Sequence, residues 1–120
     1  MQDEEVVLPV REQLEAYNAR DIDRFMRWWA EDCRYYAFPD TLLADGAAQI
    51  RARHEERFKE ANLHGRLLQR MVLGNVVVDQ EVVTRTFPEG TGEVDVLAIY
   101  EIEAQRIARA WFRLGTPRLA

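Results

Sequence analysis

Among the side chains able to move a proton or hold a ligand, His54 has the most informative setting. It shares one stripe with Ala47, Ile50, Phe58 and Ala61 in the run from Ala47 to about Ala61, the spacing of a single helical face. An imidazole sheltered in this way can be tuned across neutral pH and act as acid or base. The plainer structural alternative is a core histidine tied to one partner. Tyr100 poses a similar choice, between a ring that fills the interior and a hydroxyl that meets a ligand. Asp79 and Glu81 alternate onto one side of an extended run, as an acid/base pair would; the expectation is nevertheless a pair of exposed strand carboxylates. His64 follows His54 by ten residues with no HExxH or carboxylate-spaced companion, so neither a metal site nor a cofactor is expected. No Ser/His/Asp or Cys/His arrangement and no phosphate-cradling glycine loop is present.

These residues need elements to position them. Val10, Leu14 and Tyr17 recur at helical spacing after Pro9, which suits a first turn, and predict a helix from Pro9 to Ala19. Asp21 is placed to cap a second helix, in which Ile22, Phe25, Met26 and Trp29 fall on one side. Trp28 and Trp29 then read as a helical aromatic stripe. The aromatic run Cys33 to Phe38 predicts a strand, with Tyr35 and Ala37 pointing inward and Tyr36 outward, and Asp45-Gly46 marks a turn. The third helix runs from Ala47 to about Ala61. Its other side carries Arg51, Arg53, Glu55, Glu56, Lys59 and Glu60 and reads as a solvated face with the pairs Arg51/Glu55 and Glu55/Lys59. Four β-like runs follow, Arg66 to Leu73, Val76 to Phe87, Glu93 to Ile102 and Arg106 to Leu114, separated by turn-forming residues. The order α-α-β-α-β-β-β-β predicts an α+β cone, a curved antiparallel sheet packed against three N-terminal helices, in one domain spanning residues 1–120.

Bulk properties narrow the function classes. The chain has 120 residues, 48% hydrophobic and 31% charged, with 16 basic against 21 acidic side chains and a net charge of -5. An acidic protein lacks the positive field that nucleic-acid binding requires. No apolar run is long enough to span a bilayer, and the acidic start MQDEEVVLPV is unlike a signal peptide. The expectation is a cytoplasmic protein with neither a nucleic-acid nor a membrane partner. Cys33 is the single cysteine, so an internal disulfide is impossible, and its place at the head of a strand reads as a small buried residue.

The element order, together with YNARDIDRFMRWWAEDCRYY, ADGAAQI and YEIEAQRIARAWF, resembles the nuclear transport factor 2-like superfamily, which includes the SnoaL-like polyketide cyclases and the ketosteroid isomerases. The resemblance covers nearly the whole chain. It implies a small apolar ligand held between the helices and the concave sheet, and dimerisation through the outer sheet face. It also implies where an isomerase would carry its chemistry: an Asp base ending the first strand, a Tyr from the first helix, and a protonated Asp from the third long strand. Gapless placement puts Ala37 at the base and Gln13 at the tyrosine, and a turn one residue shorter puts Ala98 at the second Asp. With no base in reach and no facing acid, the isomerase mechanism is not expected. His54 matches a pocket tyrosine position of those enzymes and is the one candidate left for catalysis. The implied pocket is lined by Gln13, Tyr17, Trp29, Tyr35, His54, Tyr100 and Phe112.

The closing hairpin, Glu93 to Leu114, adds a second surface. A three-residue turn at Glu103-Ala104-Gln105 pairs Ile102 with Arg106, and so sets Ala98 against Ala110 and Tyr100 against Ala108 on a small, apolar inner wall. On the outer face it sets Leu97 against Trp111, Ile99 against Arg109 and Asp95 against Arg113, with Ile107 and Glu101 nearby. A water-facing sheet alternates to polar residues; apolar groups among charges suggest an interface core with a polar rim. The expectation is a homodimer whose interface includes Asp95, Leu97, Ile99, Arg109, Trp111 and Arg113. Two functions fit: a protein that binds a small hydrophobic metabolite, with any catalysis left open, or a non-enzymatic dimerisation or carrier module whose cone is packed shut.

Overall fold

The computed structural model describes residues 3–120, so the first two residues of the expected 1–120 span lie outside the described residues. Three helices pack on one side of a curved sheet, an α+β fold of the cone type. Helix α1 (Asp3–Ala19) begins earlier than Pro9 because Asp3, Glu4 and Glu5 place negative charge at the positive end of the helix dipole. Pro9 therefore lies inside the helix, on its buried side. Asp21 caps α2 (Ile22–Met26), its carboxylate accepting from the Arg24 N–H at 3.2 Å.

Helix α2 stops before Trp29, which instead opens strand β1 (Trp29–Ala37). Trp28 thus falls in the turn between them. The β-prone run from Trp29 gains a backbone partner that a continued helix would forfeit: Trp29 pairs with Ile107, and the Ile107 N–H donates to the Trp28 carbonyl at 2.8 Å. Strand β2 (Thr41–Asp45) returns along β1 and had no counterpart in the sequence pattern. Helix α3 (Ala47–Arg57) ends four residues short of Ala61, with Phe58 at its C-terminal cap. Beyond it Lys59 pairs with Glu56 at 3.0 Å rather than with Glu55. The expected Arg51–Glu55 pair is present at 3.6 Å.

Strands β3 (His64–Leu73), β4 (Val76–Phe87), β5 (Gly90–Glu103) and β6 (Arg106–Leu114) complete the meander, and the short β7 (Arg118–Leu119) pairs with β5. The sheet order is β2-β1-β6-β5-β4-β3. It is mixed, because β1 runs parallel to β6, whereas every other pairing is antiparallel.

The β5–β6 hairpin departs from its expected register. Ala104 and Gln105 both take positive φ, 50° and 59°, and make a two-residue turn with Glu103 opposite Arg106. A bulge at Ala108 then shifts the strands again, so Ala98 faces Phe112, Tyr100 faces Ala110, Ile99 faces Trp111 and Leu97 faces Arg113. The two slips add to an even number, and side chains of period two return to their original faces. Ile107 and Arg106, which lie before the bulge, exchange sides: Ile107 is buried in the core opposite Ile102, and Arg106 is exposed opposite Glu103. Asp95 pairs not with Arg113 but with Arg118, at 2.9 and 3.0 Å.

Candidate functional site

Between the helices and the concave side of the sheet lies a cavity of about 460 Å³. Its walls include Gln13, Tyr17, Trp29, Tyr35, His54, Tyr100 and Phe112, which come from α1, β1, α3, β5 and β6. Aromatic contacts tie them together: Tyr35 stacks on Phe112 with centroids 4.4 Å apart, and Tyr100 meets Phe112 edge-on at 5.9 Å. Ala37 also lines the cavity, whereas Ala98 is buried in the sheet beside it. Leu43, from the unforeseen strand β2, completes part of the rim with Phe38.

His54 is buried and held in one tautomer: Nδ1 lies 2.8 Å from the Ile50 carbonyl, which accepts only from a protonated nitrogen. Burial, with Arg57 and Arg53 nearby, pulls its pKa from 6.5 down to about 4. The ring is packed among Tyr17, Phe25, Tyr35 and Phe58 and stays neutral at physiological pH. A neutral imidazole of such low basicity is a poor acid and a weak base.

The titratable group suited to neutral pH is Glu81. Far from being exposed strand carboxylates, Asp79 and Glu81 are buried on the inner face of β4, at 0% and 6% exposure. Arg70, reaching across from β3, donates to both oxygens of Asp79 at 2.7 and 2.9 Å, so that carboxylate is fully occupied. Glu81 lines the cavity, and no ion pair holds it among the described residues. Burial and the charge of Asp79 raise its pKa from 4.5 to about 7, against a smaller opposing effect of Arg70. Gly65, on β3, makes room for it: a β-carbon there would stand 3.3 Å from Glu81 Oε1.

Tyr100 shares this polar corner. Gln13 Nε2 donates to its oxygen at 3.3 Å and to the Val10 carbonyl at 3.1 Å. Burial and the neighbouring carboxylates push the phenol well above its ordinary value, so it keeps its proton and can donate. A carboxyl titrating near neutrality and an O–H donor therefore stand at one apolar cavity, an arrangement able to move a proton to or from a bound molecule.

The wall contributed by α3 is basic. Arg53 does not lie on the solvated side of α3: its guanidinium covers the Tyr35 ring at 5.2 Å, and it lines the cavity with Arg57. Arg57 lies beside the Tyr17 hydroxyl, whose pKa burial raises to about 12. A signal for both arginines was present in the chain, since positions 53 and 57 follow Ile50 by three and seven and so share its face. Glu81 left a weaker one, because Val residues flank it on both faces of β4.

The family model described as the SnoaL-like domain matches residues 10–110. Among solved structures, an uncharacterized cystatin fold protein from Novosphingobium aromaticivorans is 22% identical with a TM-score of 0.82, the match covering 89% of this chain and 96% of that one. A SnoaL-like protein of unknown function from Burkholderia thailandensis is 17% identical with a TM-score of 0.78, covering 97% and 99%. An LEH-like epoxide hydrolase of M. tuberculosis is 14% identical with a TM-score of 0.81, covering 92% and 83%. At these identities the likeness is one of fold. No curated protein matches the sequence. Among the described residues no helix is long and apolar enough to cross a membrane, and no cluster of metal-ligating side chains occurs.

Proposed function

The chain belongs to the SnoaL-like domain family, within the nuclear transport factor 2-like superfamily, and on that premise we propose that it binds one small, largely apolar molecule in the cavity and exchanges a proton with it through Glu81. The observation that carries this reading is a carboxyl group buried at a cavity of about 460 Å³ with no cation paired to it among the described residues. A carboxyl kept in a dry site for structural ends is ordinarily paired, as Asp79 is. One that titrates near 7 is poised to give or accept a proton at working pH. Tyr100 supplies a hydrogen bond to an oxygen of the bound molecule, its own oxygen being held by Gln13. The mechanism differs from that of the ketosteroid isomerases, because Gln13, Ala37 and Ala98 stand where their groups belong and the carboxyl enters from β4. An open cavity also favours this reading over a carrier or dimerisation module with a closed cone.

The reading is tested with N-phenyl-1-naphthylamine, a neutral apolar dye, together with native mass spectrometry of the purified protein for a retained small molecule. The dye should bind with enhanced fluorescence and lose affinity at least tenfold in Ala37→Trp, which fills the cavity. Absence of both dye binding and a retained molecule would overturn it. The proton-exchange part falls separately if the Glu81 carboxyl, followed by carbon-13 NMR, titrates below pH 5.

The proposal extends to the outer face of the sheet, where a second copy docks. Met71, Val78, Ile99, Trp111 and Tyr36 stand in register across β3, β4, β5, β6 and β1, a continuous apolar row. Met71 is 57% exposed, and Tyr36 stacks on Trp111 at 5.7 Å with the rings 11° from parallel. The bordering rows carry Glu101, Arg109 and Arg34 on one side, ending in Val76 and Leu73, and Gln69, Gln80 and Arg113 on the other, interrupted by Leu97. An apolar centre inside a polar rim, laid out so that a two-fold axis along the row places it on itself, suits an isologous dimer.

A further inference from the structure

The cavity is cationic inside an anionic protein. The chain carries a net charge of -5, yet four arginines and one carboxyl, Glu81, line this one space. Two of the four are accounted for: Arg85 is forked onto Glu60 at 2.7 and 3.3 Å, and Arg113 is exposed at the rim. Arg53 and Arg57 meet only aromatic groups, the Tyr35 ring and the Tyr17 hydroxyl. They project from the same face of α3 and form no ion pair among the described residues, although six acidic side chains of the surrounding surface are paired with Arg51, Lys59, Arg85 and Arg118. Both are half-buried, where an unpaired charge is costly.

Two guanidinium forks side by side on one helix face complement a planar anion. The apolar walls, Tyr35 stacked on Phe112 among them, complement the remainder of such a molecule.

Resting on the cavity reading above, we propose that the ligand is an organic acid anion, its apolar aromatic or alicyclic body held among Trp29, Tyr35 and Phe112 and its carboxylate clamped by Arg53 and Arg57. The clamp orients the molecule: with the anionic end fixed at α3, the apolar body extends toward the corner formed by Glu81 and Tyr100. In an acidic protein, the local field of the arginines also selects such a ligand from solution.

Two dyes with one skeleton test this. 8-Anilinonaphthalene-1-sulfonate carries an acid anion on the body of N-phenyl-1-naphthylamine, and bound dye is then displaced with 1-naphthoate or its neutral counterpart 1-naphthamide. The wild type should bind the sulfonate at least tenfold more tightly than the neutral dye, and 1-naphthoate should displace it at concentrations at least tenfold below 1-naphthamide. The Arg53→Gln/Arg57→Gln variant should lose at least tenfold more in sulfonate affinity than in affinity for the neutral dye, and an unchanged circular dichroism spectrum reports that it remains folded. Equal affinity for the two dyes, or equal loss of both in the variant, overturns the anion clamp and leaves the apolar cavity standing. Failure of both dyes to bind, with no small molecule retained by the purified protein, overturns the cavity reading itself.

Discussion

Asp79 and Glu81 stand two residues apart on the same face of β4, yet Arg70 takes both oxygens of the first and leaves the second to the cavity. The ion pair has two effects on its neighbour. It keeps a negative charge close by, which opposes a second one on Glu81, and it occupies the cation that would otherwise relieve that charge. Burial is the larger reason that Glu81 keeps its proton, and the charge of the residue two places before it adds to that effect.

This arrangement makes stability depend on pH in a way that substitution can separate. In the folded protein Glu81 holds its proton to about pH 7, whereas the unfolded chain releases it near 4.5, so the folded state loses stability as pH rises through that window. The full shift corresponds to about 3 kcal/mol. His54 acts in the opposite sense: the unfolded chain takes up a proton near pH 6.5 and the folded one only near 4, so stability is lost as pH falls between those values. Between 4.5 and 6.5 the slopes oppose each other and the wild type should be nearly level. In Glu81→Gln only the histidine slope remains, and the variant should exceed the wild type by about 2–3 kcal/mol at pH 8. Urea unfolding at pH 5, 6.5 and 8 measures this; no gain at pH 8 would refute it.

Arg70→Leu should be far more damaging than its partly exposed position suggests. It strands the fully buried Asp79 carboxylate, and removing one member of a buried pair costs about 3–5 kcal/mol. Arg70→Leu/Asp79→Leu removes the stranded charge together with its partner and should recover most of that loss. Equilibrium unfolding of the two single variants and the double gives the coupling; additive losses would count against the pair as described.

What could be read from the chain divides along physical lines. The face of each long strand was legible, because period-two alternation survives an even register slip, as Ala98, Tyr100 and Phe112 show. The register was not, because the turn forms at Ala104-Gln105, without the Gly or Asn that marks positive φ, and because the bulge at Ala108 has no local signal. The inward faces of Tyr17, Tyr35, His54 and Tyr100 followed from helical stripes and strand alternation, and their convergence on one space from the family resemblance. The burial of Asp79 and Glu81 did not, since it depends on Arg70 reaching across from another strand and on valines that flank both faces of β4. Trp29 fits a helical repeat and a strand equally well, and its pairing with β6 decides between them.

Gly65 tests how tightly the acid corner is built. Its β-carbon in Gly65→Ala would lie 3.1 Å from Leu14 Cδ1 and 3.3 Å from Glu81 Oε1, while the Asn18 side chain fixes the local backbone through bonds of 2.7 and 2.9 Å. The backbone has little freedom to retreat, so the carboxyl must move. The substitution should cost about 1–2 kcal/mol by overpacking, and less in a Glu81→Ala background, where one of the two close contacts is gone. Thermal or urea unfolding of the four proteins checks this; an equal cost in both backgrounds would place the crowding at Leu14 alone.

The outer row is tested at two distant points. Trp111 lies near one end, on β6, and Met71 at the other, on β3. An aspartate at either position inserts a charge into the dry centre of the proposed interface, where it would be desolvated without a partner. The wild type should therefore sediment as a dimer at low micromolar concentration, and Trp111→Asp and Met71→Asp should each sediment as a monomer. Trp111→Asp also removes the stack with Tyr36, so a lower melting temperature is expected of it beyond that due to dissociation. Met71 is not part of that stack and separates the two effects. Because the row and the cavity lie on opposite faces of the sheet, both monomeric variants should still bind N-phenyl-1-naphthylamine. A monomeric wild type, or two aspartate variants that remain dimeric, would rule out this face as the interface.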